Sequence, residues 1–248
     1  MDKVDVTVRF SDFAGIPTIA DNNGLASPRG FAIKYHLDKN TATDIVCHSF
    51  NGFPSPTTAD FVDLLLALSK QKSEPEVLQT YLGTHPKAKS FLTASKPMPK
   101  SYGSLPYFGV NAFKFINSTG EVVYGRYQFI PEEEAYYTAD EAKNTAPNEL
   151  INEIQDRVDK NPVKIKMYLQ IAEKGDDLND PSTAWPDSRK NIELGTVYVT
   201  QNVENNLKSE QELAFAAGRL TEGIEIQDPM LQARKESYPV SYKRRHEK

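Results

Sequence analysis

The run FGVNAFKFIN (residues 108–117), the turn Ser118-Thr119-Gly120 and the return run EVVYGRYQFI (121–130) decide the fold class. Both runs are rich in β-branched and aromatic side chains, which suit a pleated, half-buried surface. A short polar turn containing glycine joins them as a hairpin. Upstream, VDVTVRF (4–10) alternates Val4, Val6 and Val8 with Asp5, Thr7 and Arg9. The period of two predicts a strand with the valines inward and Thr7 and Arg9 on the opposite face. RGFAIKYHL (29–37), TDIVCHSF (43–50), VKIKMYLQIA (163–172) and IELGTVYVT (192–200) are further strand candidates. Between them, TTADFVDLLLALSK (57–70) places Phe61, Leu64, Leu65 and Leu68 at helical spacing. Ser73 is the predicted cap of a second helix, with Pro75 in its first turn and an interruption at Gly83 and Pro86. Leu150, Ile151, Ile154 and Val158 mark one face of a third. Strands come in runs with helices between the runs, which argues against a doubly wound parallel sheet. It predicts an α+β fold, an antiparallel sheet or barrel with attached helices.

Composition narrows the function classes. The 248 residues are 39% hydrophobic and 25% charged, which excludes a disordered or collagen-like chain and is enough to bury a core without staples. The one cysteine, Cys47, excludes a disulfide framework and a multi-cysteine zinc site. No run approaches 18 apolar residues, so no membrane-crossing helix is expected. The first residues, MDKVDVTVRF, carry no signal-peptide core, so a cytoplasmic protein is expected. The net charge of −5 argues against a nucleic-acid partner; Lys243-Arg244-Arg245 is read as a solvated terminus.

Common chemistry motifs are absent: no dinucleotide fingerprint, phosphate-binding P-loop, zinc-protease or nucleophile-elbow pattern occurs. GDDLND (175–180) lacks the glycine and glutamate of a calcium loop and reads as a solvated turn. The four histidines form no pair at metal-ligand spacing, and His36 and His48 read as hydrogen-bonded strand residues. One pattern invites chemistry. In RKESY (234–238), Arg234 stands four residues before Tyr238, on the same helix face. An arginine beside a phenol favours the phenolate, a hard ligand for ferric iron and one of the axial ligands of haem. The same pair is common on surface helices, so spacing alone leaves function open.

Several ordered segments together resemble the haem catalase superfamily: VTVRFSDFAG (6–15), SPRGFAIKY (27–35), NAFKFINSTGEVVYGRYQF (111–129) and LQARKESY (231–238). QIAEKGDDLNDPSTAWPDSR (170–189), the Leu-Gly-Thr at 194–196 and GIEIQDPMLQARKESY (223–238) are similar to its smaller, catalase-related peroxidases. The resemblance spans nearly the whole chain. It implies a single catalase-like domain over 1–248, an antiparallel β-barrel with attached helices holding haem b. It further implies Tyr238 as the iron ligand, Arg234 as the neighbour that keeps its oxygen anionic, and Arg9 as the partner of a haem propionate. Ser11 matches the serine that hydrogen-bonds a distal histidine, and Asn51 is assigned as the distal asparagine, with His48 and Ser49 as rivals. Tyr242 is the runner-up iron ligand.

The chain departs from the family pattern in two places. No histidine precedes Arg9, where the family has its distal histidine, so the chain is read as shortened at its N-terminus, with a substitute from another strand, His36 or His48, as the remaining alternative. Lys235 and Glu236 replace apolar residues between the proximal arginine and tyrosine. The resemblance implies a peroxidase acting on hydrogen peroxide or a small organic peroxide, with a small one-electron donor and with self-association left open. A non-enzymatic haem carrier or sensor, and a hydroperoxide-rearranging enzyme on the same scaffold, are the alternatives.

Overall fold

The computed structural model describes residues 3–13, 15–16 and 18–247. Ala14, in the segment 6–15 of the family resemblance, lies outside them, as do Met1 and Asp2 and the side chain of Arg245 in the basic tail. The chain opens with β1 (Asp5–Asp12), β2 (Arg29–His36) and β3 (Ala42–His48), then α1 (Thr58–Ser69), α2 (Pro75–Thr84) and α3 (Pro86–Thr93). Next come β4 (Tyr107–Phe108), β5 (Phe113–Ile116), β6 (Val122–Pro131), α4 (Ala139–Lys143), α5 (Glu149–Lys160), β7 (Val163–Ile171) and β8 (Asn191–Val199). The chain closes with α6 (Asn206–Glu212), β9 (Ile224–Ile226) and α7 (Pro229–His246).

Among the described residues all nine strands belong to one sheet and every pairing is antiparallel. The path runs β1-β2-β3-β4-β6-β7-β8, with β5 and β9 branching from β6. Val8 of β1 and Val197 and Val199 of β8, at opposite ends of that path, enter the same apolar core. The sheet is therefore curled around its core, and α5 sits where the ends approach, burying Leu150, Ile154 and Val158. The right-handed twist of strands makes this curl the ordinary behaviour of a large antiparallel sheet.

The predicted hairpin forms, but its first arm is broken. Residues 109–112 separate β4 from β5, and Gly109 donates its N–H to Tyr127 O at 2.8 Å. A Cβ at Gly109 would lie 3.4 Å from Cys47 Sγ and from Tyr127, at the close end of ordinary van der Waals contact. The cap of α2 is Glu74 rather than Ser73, whose hydroxyl instead donates back to Lys70 O at 3.3 Å. Proline at the first position supplies the pre-set φ that starts the helix without a side-chain cap.

The pleat of β1–β3 positions everything that follows. Registered rows Phe10–Phe31–Cys47 and Val8–Ile33–Ile45 face the apolar core. The alternate rows Thr7–Lys34–Asp44, Arg9–Ala32–Val46 and Ser11–Gly30–His48 therefore face the other way. Val4, predicted inward with the other valines, lies beyond the strand and is exposed. The outward face is also covered. Lys34 Nζ pairs with Asp44 at 2.7 Å, and Asp44 accepts from Ala216 N at 2.6 Å. Phe215 packs beneath both Lys34 and Arg9, and α7 lies across the same side.

Candidate functional site

Between the outward face of β1–β3 and α7 is a cavity of about 540 Å³. Its floor is Arg9, Ser11, Gly30, Val46 and His48; its roof is Met230, Ala233, Arg234 and Tyr238; Phe13, Phe53, Phe61, Val110 and Asn111 close the sides. Larger clefts, of about 800 Å³ beside Glu132 and Lys164 and about 1110 Å³ beside Leu207 and Arg244, have charged, surface-exposed walls. Apolar walls with a few convergent polar groups, in the roughly 300–1,000 Å³ range, are the pattern of small-molecule and cofactor sites.

Helix α7 begins at Asp228, whose side chain accepts from Met230 N at 2.8 Å, with Pro229 at the first helical position. Two turns on, Arg234 Nε and Nη2 both donate to Tyr238 Oη, at 3.2 and 2.8 Å. Arg234 Nη1 donates to Asn111 Oδ1 at 2.6 Å, and Asn111 Nδ2 donates to Asp228 Oδ2 at 2.7 Å. The amide has a guanidinium on one side and a carboxylate on the other, so only this orientation satisfies both. The helical i,i+4 spacing makes the Arg234–Tyr238 contact possible, and the Asp228–Asn111 bond fixes the arginine from the other end. Two N–H donors on Oη leave the oxygen's remaining direction for a proton or a metal ion.

Asp228 is fully buried. Burial raises its carboxyl above the usual range, opposed by the Asn111 and Met230 donors and by the cations Arg126 and Arg234. Burial also pulls Arg126 down to about 10, so it remains cationic at neutral pH. Arg126 donates to Thr183 O at 2.7 Å and to Asp180 O at 2.9 Å and lies 4.2 Å from the Trp185 ring. The GDDLND stretch is a turn with Gly175, Asp177 and Asn179 exposed, and it is pinned by side-chain bonds. Arg189 bonds Asp176 at 2.9 and 3.0 Å, and Ser182 and Thr183 bond Asp180. Among the described residues no cluster of His, Cys, Asp and Glu could hold a metal ion.

The structure brings together Arg9, Ser11, Arg234 and Tyr238 around one cavity. Asn51 lies in the bend that follows β3 and is not part of the cavity wall; His48, at the end of that strand, is. Tyr242 is turned away, with its ring 4.1 Å from His246. His36 is hydrogen-bonded as expected, to Thr7 Oγ1 at 2.9 Å. His48 is not: it is buried, and neither ring nitrogen has a partner among the described residues. The physical reason is its place in the outward row, where the neighbouring position is Gly30 and the rings of Phe13, Phe53 and Phe91 surround it. Asn111 and Asp228 carry no role in the sequence reading. Their signals were an asparagine in an otherwise β-branched and aromatic run and an Asp-Pro pair at a helix start.

A family model described as Catalase matches residues 1–247. The chain is 33% identical over 247 residues to a catalase-related peroxidase of Mycolicibacterium paratuberculosis, covering 98% of this chain and 78% of that protein. It is 29% identical over 250 residues to a catalase-related peroxidase of Synechococcus elongatus, covering 98% of this chain and 73% of that protein. A solved fungal catalase is similar in fold, with a TM-score of 0.85 at 23% identity, over 98% of this chain and 52% of that one. A solved bacterial catalase is similar at the same TM-score of 0.85, with 21% identity. The chain spans about half the length of these two solved catalases.

Proposed function

The chain belongs to the catalase family, and from that membership we propose that it is a haem-dependent peroxidase acting on hydrogen peroxide or a small organic peroxide. The observation that carries this reading is Tyr238 Oη, held by two N–H donors of one guanidinium, at the wall of a largely apolar cavity. The residues present fit a flat, apolar group with anionic substituents. The walls are chiefly aliphatic and aromatic. At Gly30 any Cβ would lie 2.5 Å from Ser11 Oγ, so the floor stays clear there. Arg9 stands at one side with its guanidinium 5.1 Å from the Phe215 ring, placed to receive a carboxylate.

In this reading Tyr238 holds the iron through its phenolate oxygen. Arg234 donates two N–H groups to that oxygen and would hold it in place against the metal. Asn111 and Asp228 keep the guanidinium aimed, and Arg9 takes a propionate. Phe13, Phe53 and Phe61 exclude water from one side of the cavity. A bound haem supplies the redox chemistry that peroxide cleavage requires; the protein supplies the ligand, the charge balance and the dry pocket.

The test is reconstitution of the full chain with haem, followed by absorption spectra and by peroxide-dependent oxidation of a dye donor. The expected result is a ferric Soret band that shifts or disappears in Tyr238→Phe, and dye oxidation that depends on both haem and peroxide. An unchanged Soret band in Tyr238→Phe overturns the ligand assignment. Haem uptake without dye oxidation would make the chain a haem carrier or sensor instead.

A further inference from the structure

A second cavity lies behind the first. It measures about 420 Å³ and opens where the two ends of the sheet approach, between residues 7–10 of β1, Val199 of β8, α5 and α6. Arg9 stands in the wall of both cavities. Val8, Ile151, Val199 and Leu213 give the second one apolar sides. Asn202 adds a polar group. Its Nδ2 donates to Gln155 O at 2.9 Å and to Asp159 at 2.8 Å, which uses both hydrogens and leaves Oδ1 as an acceptor. Glu210 and Glu212 at the mouth repel an anion, and Arg9 repels a cation. The pocket therefore suits a small neutral aromatic molecule with a hydroxyl group.

Tyr102 joins the two cavities. Its ring is in the wall of the second, stacked on Phe10 with 5.6 Å between centroids, and it is 2% exposed. Its Oη donates to Asp12 Oδ1 at 3.1 Å, and Asp12 is in the wall of the first. Asp12 is ion-paired with Arg29 and stands beside the Asp21 carboxyl, so two acids crowd one guanidinium. A proton arriving on this group relieves the repulsion between them. Burial, then the charges of Asp12 and Asp21, push the Tyr102 phenol above its usual range. It therefore keeps its proton until it loses an electron. An oxidised phenol is a strong acid, and the base already bonded to this one is Asp12.

We propose that Tyr102, with Asp12 as its proton acceptor, relays electrons to the haem cavity from a small neutral phenol bound in the second cavity. The proposal rests on the haem peroxidase reading, in which peroxide is the oxidant. Tyr102 passes an electron to the peroxide-oxidised haem and its proton to Asp12, and becomes a neutral phenoxyl radical. The phenol in the pocket then gives Tyr102 one electron, Asp12 returns the proton, and the phenol's own proton leaves to water at the open mouth. Tyrosine and aspartate end as they began; the donor has lost one electron and the haem has gained one. Two such turns supply the two electrons that cleave one peroxide.

The test uses the full chain loaded with ferric haem. Mixed with peroxide and frozen at once without a donor, the wild type should show a tyrosyl radical by electron paramagnetic resonance. Tyr102→Phe should lose that signal and slow the oxidation of guaiacol, a neutral phenol, while its Soret band stays that of the wild type. Asp12→Asn, which offers an oxygen but takes up no proton, should weaken the radical signal as well. Val203 is 47% exposed at the rim of the pocket. Val203→Trp should weaken guaiacol binding about tenfold or more, read by NMR titration without peroxide, and leave the radical signal intact. A wild-type radical signal in Tyr102→Phe overturns the relay; if that variant fails to fold, a wild-type signal in Asp12→Asn does so. A peroxide-driven change in the haem spectrum with no tyrosyl signal in the wild type overturns it too. Guaiacol binding at wild-type strength in Val203→Trp overturns the pocket. If the wild-type chain takes up no haem, or peroxide leaves the haem spectrum unchanged, the peroxidase reading itself falls, and this proposal with it.

Discussion

Asp228 does two jobs with one carboxylate. Oδ1 caps α7 through Met230 N, and Oδ2 accepts from the amide that holds Arg234. Capping side chains contribute about 1 kcal/mol, and leaving a buried donor unpaired costs about 1–3 kcal/mol. Asp228→Ala is therefore expected to lower stability by at least about 1 kcal/mol, read as a lower urea midpoint at unchanged slope. It should also loosen Arg234, so that the Soret band of the haem-loaded protein moves toward that of Tyr238→Phe. Asp228→Asn keeps an oxygen for one donor and should fall between the two. A variant with wild-type stability and spectrum would show that the cap and the amide are held by other groups. Asn111 shows the same economy. Its side chain is neutral, so it aims the guanidinium without competing for its charge.

At the scale of the element, the floor of the cavity depends on close contact between β1 and β2. Gly30 faces Ser11 across the pair, and a Cβ there would meet Ser11 Oγ at 2.5 Å. The hydroxyl must turn aside or the strands must separate. Gly30→Ala should therefore be destabilising in the wild type and much less so in Ser11→Ala. Residues in contact commonly couple by about 0.5–3 kcal/mol, and a double-mutant cycle of urea denaturation measures it. A coupling energy near zero would mean that the two strands part freely at this row. Helix α7 carries a comparable constraint. Pro239, directly after Tyr238, has no N–H and so leaves the carbonyl of Lys235 without its helical donor. The arginine–tyrosine contact sits on the turn before that break.

At the scale of the whole molecule, the segment before β2 is tied to α5 and to the sheet by buried charge. Asp21 Oδ2 accepts from Leu150 N at 2.7 Å, and Asp21 N donates to Pro147 O at 2.8 Å. Arg29 is ion-paired with Asp12 and donates to Asp21 O at 2.5 Å, while Tyr102 Oη donates to Asp12 at 3.1 Å. Burial raises the Asp21 carboxyl from 3.8 to about 6, with the Leu150 N–H opposing and the nearby Asp12 charge adding. A carboxyl that binds its proton more tightly when folded stabilises the native state fully below its unfolded pKa. That contribution is lost as pH rises through about 6. Replacing it removes the dependence. Relative to the wild type, Asp21→Asn should therefore gain stability between pH 4 and pH 7 and stay level above that. Urea unfolding at pH 4, 5.5 and 7 checks this; a difference independent of pH would show that Asp21 does not titrate in the window.

Local rules made the elements legible, because hydrophobic period and turn chemistry act over a few residues. The alternation in VDVTVRF correctly put Val6 and Val8 on the core side and Thr7 and Arg9 opposite. The i,i+4 spacing of Arg234 and Tyr238 foretold their contact, and the ordered segments foretold the family. Asn51 illustrates the limit. It sits only three residues past His48 in sequence, yet strand register gives the cavity wall to His48. The break at 109–112 that brings Asn111 to Arg234, 123 positions away, has no local signature beyond one glycine and one asparagine. The two unpaired nitrogens of His48 are likewise a product of what surrounds the ring. By itself the sequence determined which residue types share each face of each element. Only the tertiary structure decided which faces meet, because packing across distant strands and α7 depends on register and curl, which nearby residues do not encode.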